Sequence, residues 1–118
     1  MTTPSNLPAN PSIPLSPDVK AAYQNAYNTM QAQLDSTMDP VAVEALNAAQ
    51  PQVESVLDKN DMYTLNQDTA LFTELQKQIG DTNNSLKALK AQIAATASHF
   101  SMAGDILSAI DAVLCLVS

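Results

Sequence analysis

The chain of 118 residues has the length of one domain, and its 46% apolar content is near the globular average, although only 14% of its residues are charged. Five lysines, no arginine and twelve acids give a formal charge of −7. A phosphate backbone repels such a chain and the bidentate base reader is missing, so nucleic acid is excluded as a partner. With no Trp, two Phe, three Tyr and two Gly, the core must come from Leu, Ile, Val, Met and Ala. That supply suits close-packed helices, and the expected fold class is all-α.

Residues 1–17 hold five of the seven prolines, separated by small polar residues, with only Leu7, Ile13 and Leu15 to bury. The composition predicts a disordered, polyproline-like arm over residues 1–16 and a single helical domain over 17–118. Such an arm is either a loose terminus or a segment engaged by a partner or an export apparatus.

Ser16-Pro17-Asp18 combines a capping hydroxyl, a proline at the first helical position and an acid at the positive end of the helix dipole. Val19, Tyr23, Ala26, Tyr27, Met30 and Leu34 then recur at helical spacing, which predicts a first helix to about Ser36. Tyr23 and Tyr27, one turn apart, either pack on the C-terminal half or form a recognition patch. Asp39-Pro40 repeats the start signal. Val41, Val43, Leu46, Ala49, Val53, Val56 and Leu57 predict a second helical segment to about Lys59, kinked or split at Pro51, with an exit turn at Asn60-Asp61.

From Leu65 onward a heptad position is apolar eight times: Leu65, Phe72, Ile79, Leu86, Ile93, Phe100, Leu107 and Leu114. The partner position reads Asp68, Leu75, Thr82, Leu89, Thr96, Ala103, Ile110 and Val117, a seam interrupted by polar layers. Two architectures follow. One is an unbroken helix of about 80 Å in a rod-like hairpin. The other breaks at residues 80–85, where Gly80, Asp81, Thr82, Asn83, Asn84 and Ser85 all disfavour helix, and again near Gly104, and folds into an antiparallel bundle.

Residues 100–117 are too short for a simple membrane span and carry Asp105 and Asp111. Their wide apolar face, with Phe100, Ile106, Leu107, Ile110, Val113, Leu114 and Val117, must be covered by the bundle, by another protein or by lipid. An acidic helix gains nothing from anionic lipid, so membrane is the second choice behind core or interface.

His99 is the only histidine, and Cys115 the only cysteine, so neither a multi-histidine metal site nor an internal disulfide can form. His99 reads as a partly exposed helix residue with a pH-sensing role as the sharper option. Cys115 reads as a buried apolar thiol, with an intermolecular bridge or a reactive thiol as the alternative. No phosphate-binding glycine loop, EF-hand spacing or catalytic pair is present, and no cofactor or metal is expected.

The expectation is a non-enzymatic helical protein that acts through protein–protein interaction, with itself or another chain, using its heptad seam and apolar terminal helix. Two alternatives stand beside it: a secreted, membrane-active helical protein, and a small regulatory, chaperone or immunity-type protein drawn to a basic partner. In general outline the helices and unstructured leader are similar to helical pore-forming toxin components, a likeness of architecture that no motif carries. The leader lacks the basic and apolar regions of a Sec signal, so the chain is expected to be cytoplasmic or exported by a signal-independent route.

Overall fold

Three helix starts are written as a polar side chain ahead of a helical run, and each is used. A computed structural model describes residues 13–117. Ser16 Oγ accepts the Val19 amide at 3.3 Å and opens α1, Pro17–Ser36. Asp39 Oδ1 accepts the Val41 amide at 2.9 Å and opens α2, Pro40–Asn66. Asp68 Oδ1 accepts the Ala70 amide at 2.7 Å and opens α3, Thr69–Ala95. A single 3-10 turn, Ala97–His99, then leads to α4, Ala103–Val117. Each cap satisfies amides that the first helical turn leaves without partners.

The connections at residues 37–39 and 67–68 are too short to do anything but reverse the chain, and 96–102 reverses it again. Among the described residues the result is an all-α antiparallel bundle of four helices, 46 × 28 × 20 Å, in which α1 lies on α2 and α4, and α3 on α2 and α4. Its core runs through Val19, Tyr23, Met30, Leu46, Val53, Val56, Leu75, Ile79, Leu86, Ile93, Phe100, Ile106, Ile110 and Val113.

The boundaries differ from the expected ones in four places. α2 continues past Lys59 to Asn66, because the buried Asn60 is a tie and not a turn: its Oδ1 accepts the Leu15 amide at 2.8 Å. The stop comes at Gln67, which adopts the left-handed conformation (φ 49°) and donates its amide to the Tyr63 carbonyl. Leu65 therefore belongs to α2 and Phe72 to α3, so the long heptad run crosses a chain reversal. Order begins before Ser16, since Leu15 is buried and Ile13 packs against the core. The remainder of the expected arm, residues 1–12, lies outside the described residues.

The fourth difference is that α3 passes through residues 80–85 unbroken, and the next break comes at 96–102. Thr82 is fully buried; its hydroxyl donates to the Gln52 carbonyl of α2 at 3.1 Å and accepts from Gln78 Nε2 at 3.0 Å. Asn83 Oδ1 accepts the hydroxyl of the buried Tyr23 at 2.9 Å. A net gain of about 1 kcal/mol per satisfied hydrogen bond offsets much of the roughly 3 kcal/mol propensity deficit of this segment. Both residues turn inward to tie α3 to α1 and α2. α2 likewise runs through Pro51 as one helix.

Two substitutions test this account with opposite signs. Gly80 is exposed in mid-helix and a Cβ there meets nothing within 4 Å, so Gly80→Ala is expected to stabilise the fold by about 0.5–1 kcal/mol in urea denaturation. Tyr23→Phe removes the only described donor to Asn83 Oδ1 inside the core and is expected to destabilise it by about 1–3 kcal/mol.

Candidate functional site

The interaction residues expected from sequence converge on the interior. Tyr23, Phe100, Ile106, Ile110 and Val113 are buried, Leu107 and Leu114 pack at the core's edge, and Tyr27 is half-buried beside α2. Val117 closes α4, and its side chain lies outside the described ones. At 100° per residue, Ile106, Ala109, Ile110 and Val113 share one face of α4, while Cys115 falls on the opposite side with Ser108 and Asp111. Cys115 is accordingly exposed, not the buried thiol its composition suggested. Burial without an ionised partner pushes the Tyr23 hydroxyl far up from its ordinary value, so it acts as a donor to Asn83 and not as a base.

At one end of the bundle, three side chains lock the loops together. Gln33, fully buried on α1, accepts the Met102 amide through Oε1 at 2.7 Å and donates through Nε2 to Ser101 Oγ at 3.0 Å. It thereby anchors the start of α4 from a neighbouring helix. Asp39 caps α2 with one oxygen and meets His99 Nδ1 at 2.8 Å with the other, joining the two loops. His99 lies in the 3-10 turn rather than on a helix. The hydrogen bond from His99, the Val41 amide and the imidazole charge together hold the Asp39 carboxyl below its ordinary value.

Several grooves run between helices, two of them against α1. One of about 450 Å³ lies between α1 and α4 and is lined by Asn25, Asn28, Thr29, Met102, Asp105 and Ser108. The other, about 260 Å³ between α1 and α2, carries Lys20, Tyr27, Glu54, Asp58 and Asp61, with Lys20 and Asp61 paired at 3.4 Å. Neither juxtaposes a nucleophile with a base. Among the described residues, no cluster of His, Cys, Asp and Glu has the geometry of a metal site, and no helix is long and apolar enough to cross a membrane.

The uncovered apolar surface is at the opposite end, where α2 turns into α3. α1 begins level with Asn60 and Asp61, as the Leu15 and Lys20 contacts show, so α2 outruns it. α4 runs antiparallel to α3 through the Lys90–Asp111 pair at 2.6 Å. Its last residue, six beyond Asp111, comes level with a point about six residues before Lys90, leaving the first half of α3 without it. Between Asn60 and Leu75 no residue is buried. Yet this hairpin end carries Met62 (50% exposed), Leu65 (84%) and Phe72 (36%), with Tyr63 and Leu71 half-buried. The Tyr63 and Phe72 rings meet edge to face at 5.8 Å, which fixes the two helix ends against each other.

Sequence reasoning placed Leu65 and Phe72 in a buried seam and overlooked Met62. The signal that would have separated them is the Asp68-Thr69 start, a capping residue ahead of a new helical run. Comparison with protein-family models, with curated proteins and with solved structures finds no match.

Because its folded-state pKa is depressed, Asp39 contributes stability that is present above the ordinary aspartate value of about 4 and is lost as pH falls through the lower folded value. Asp39→Asn keeps a capping oxygen but removes the charge that faces His99. Its stability deficit against the parent, measured by urea denaturation, is expected to be small, present at pH 5.5 and to shrink as the pH is lowered below about 4.

Proposed function

We propose that the chain is a non-enzymatic interaction protein whose contact surface is the α2–α3 hairpin end. The observation that carries the reading is that residues 61–74 include five large apolar side chains and bury none of them. Among the described residues, the other exposed large apolar side chains are Met38, in the connection between α1 and α2, and Leu116, on α4. A rigidly held helix end that exposes apolar side chains suits a binding surface, and aromatic residues such as Phe72 and Tyr63 are the usual energetic centre of one. The α4 face, by contrast, already has its partner in the core and would have to leave it to meet a protein or a lipid.

Site-specific photo-crosslinking in the cells that make the protein tests this. A photoreactive residue at Leu65 is expected to give discrete protein adducts, lost on Phe72→Asp, whereas one at the exposed Ala91 of α3 gives none. Equal labelling from both positions, or none from Leu65, contradicts the reading.

A further inference from the structure

We infer that the partner met at the hairpin end is a basic amphipathic helix of another protein. It lays its apolar side chains on Met62 and Leu65 and its lysines or arginines along Glu54, Asp58 and Asp61; the inference rests on the contact surface proposed above. At 100° per residue these five side chains fall within an arc of about 100° on α2, on the side turned away from the core residues Val53, Val56 and Asn60. All five are exposed. From Glu54 to Leu65 the face runs for about 16 Å, or three turns of helix.

Charge and shape agree along this face. The three acids line the groove of about 260 Å³ between α1 and α2, whose wall includes the half-buried Tyr27 and Leu57. The stem of a lysine or arginine can lie on Leu57 and Tyr27 while its charged head reaches the carboxylates. Among the described residues Glu54 and Asp58 are in no ion pair. The one cation of the groove, Lys20, meets Asp61 at 3.4 Å, with both side chains well exposed, and so solvated a pair gives way to a partner's cation. Three carboxylates against one lysine leave two negative charges beside the apolar pair. The net charge of −7 adds attraction at longer range.

Other occupants fit less well. A second copy brings its own net charge of −7, and an anionic lipid surface is repelled in the same way. A neutral apolar partner would cover Leu65 but desolvate the neighbouring carboxylates without a counter-charge. Three turns of helix bury less than the roughly 800 Å² per partner of a standard interface, so binding is expected in the micromolar range of Kd.

Isothermal titration calorimetry tests this with a synthetic helical peptide of about 14 residues, lysines with leucines on one face, long enough to span the site. The parent chain is expected to bind it. Glu54→Gln with Asp58→Asn is expected to weaken binding at least about tenfold, and Leu65→Gln at least about fivefold. Asp81→Asn with Asp105→Asn removes the same charge from exposed positions elsewhere and is expected to change the affinity less than about twofold. A parent that does not bind, equal weakening in the two charge variants, or full affinity in Leu65→Gln overturns the inference. In the cross-linking experiment, adducts from Leu65 are expected to map to lysine- and arginine-rich segments of the partner and to be lost with Glu54→Gln and Asp58→Asn. Adducts that persist in that variant, or that map to acidic segments, overturn the basic helix as occupant and leave the contact surface standing. No adducts from Leu65 removes the surface, and this inference with it.

Discussion

The structure depends on a mismatch of lengths. α2 and α3 have 27 residues each, while α1 has 20 and α4 has 15. Four helices of equal length would bury their apolar stripes end to end. Here the covering pair falls short at the α2–α3 turn, and Phe72, in line with the core side chains of α3, is left exposed there, with Met62 and Leu65 on the outer side of α2. The same helix pair is thus a scaffold over most of its length and a surface at its end.

What keeps this end in place is a set of buried polar ties. Asn60 holds Leu15, and so the start of α1, against α2 just where the uncovered end begins. Tyr23 reaches Asn83, Thr82 reaches the α2 backbone, and Gln33 holds the start of α4. Apolar contacts alone tolerate sliding along a helix, whereas an unpaired buried oxygen or amide costs about 1–3 kcal/mol. These ties therefore select one axial register of the helices, and the register determines which residues are left outside. At the far end the Asp39–His99 pair joins two exposed loops, where solvent screening leaves an ion pair with little energetic weight.

Much of the fold was legible before any coordinates. Helix class, the starts at Ser16 and Asp39 and the stripe of α1 followed from capping chemistry and periodicity. The path of the second half did not, for two physical reasons. A heptad count carries no record of direction, so Leu65 and Phe72 stayed in phase across the turn at Gln67 although they sit on different helices. Propensity treats Thr82 and Asn83 as helix breakers because it sees their local competition with the backbone, not the distant carbonyl and hydroxyl they meet once packed. For the candidate site, the apolar terminal helix drew attention because it is the most hydrophobic segment. Hydrophobicity finds what must be covered, and α4 is covered by its own chain; the surface left over depends on relative helix lengths, which periodicity alone does not give.

On the function proposed above, the hairpin end is the place where this chain meets another. Amide chemical shifts of the isotopically labelled protein, followed as the lysine and leucine peptide is added, measure that directly, residue by residue. Shifts that move with added peptide and are confined to the hairpin end and the adjoining α1–α2 groove, with α4 unmoved, are the predicted result. Shifts centred on Leu114, Cys115 and Leu116, or an end whose resonances ignore the peptide and every protein it is mixed with, would contradict it.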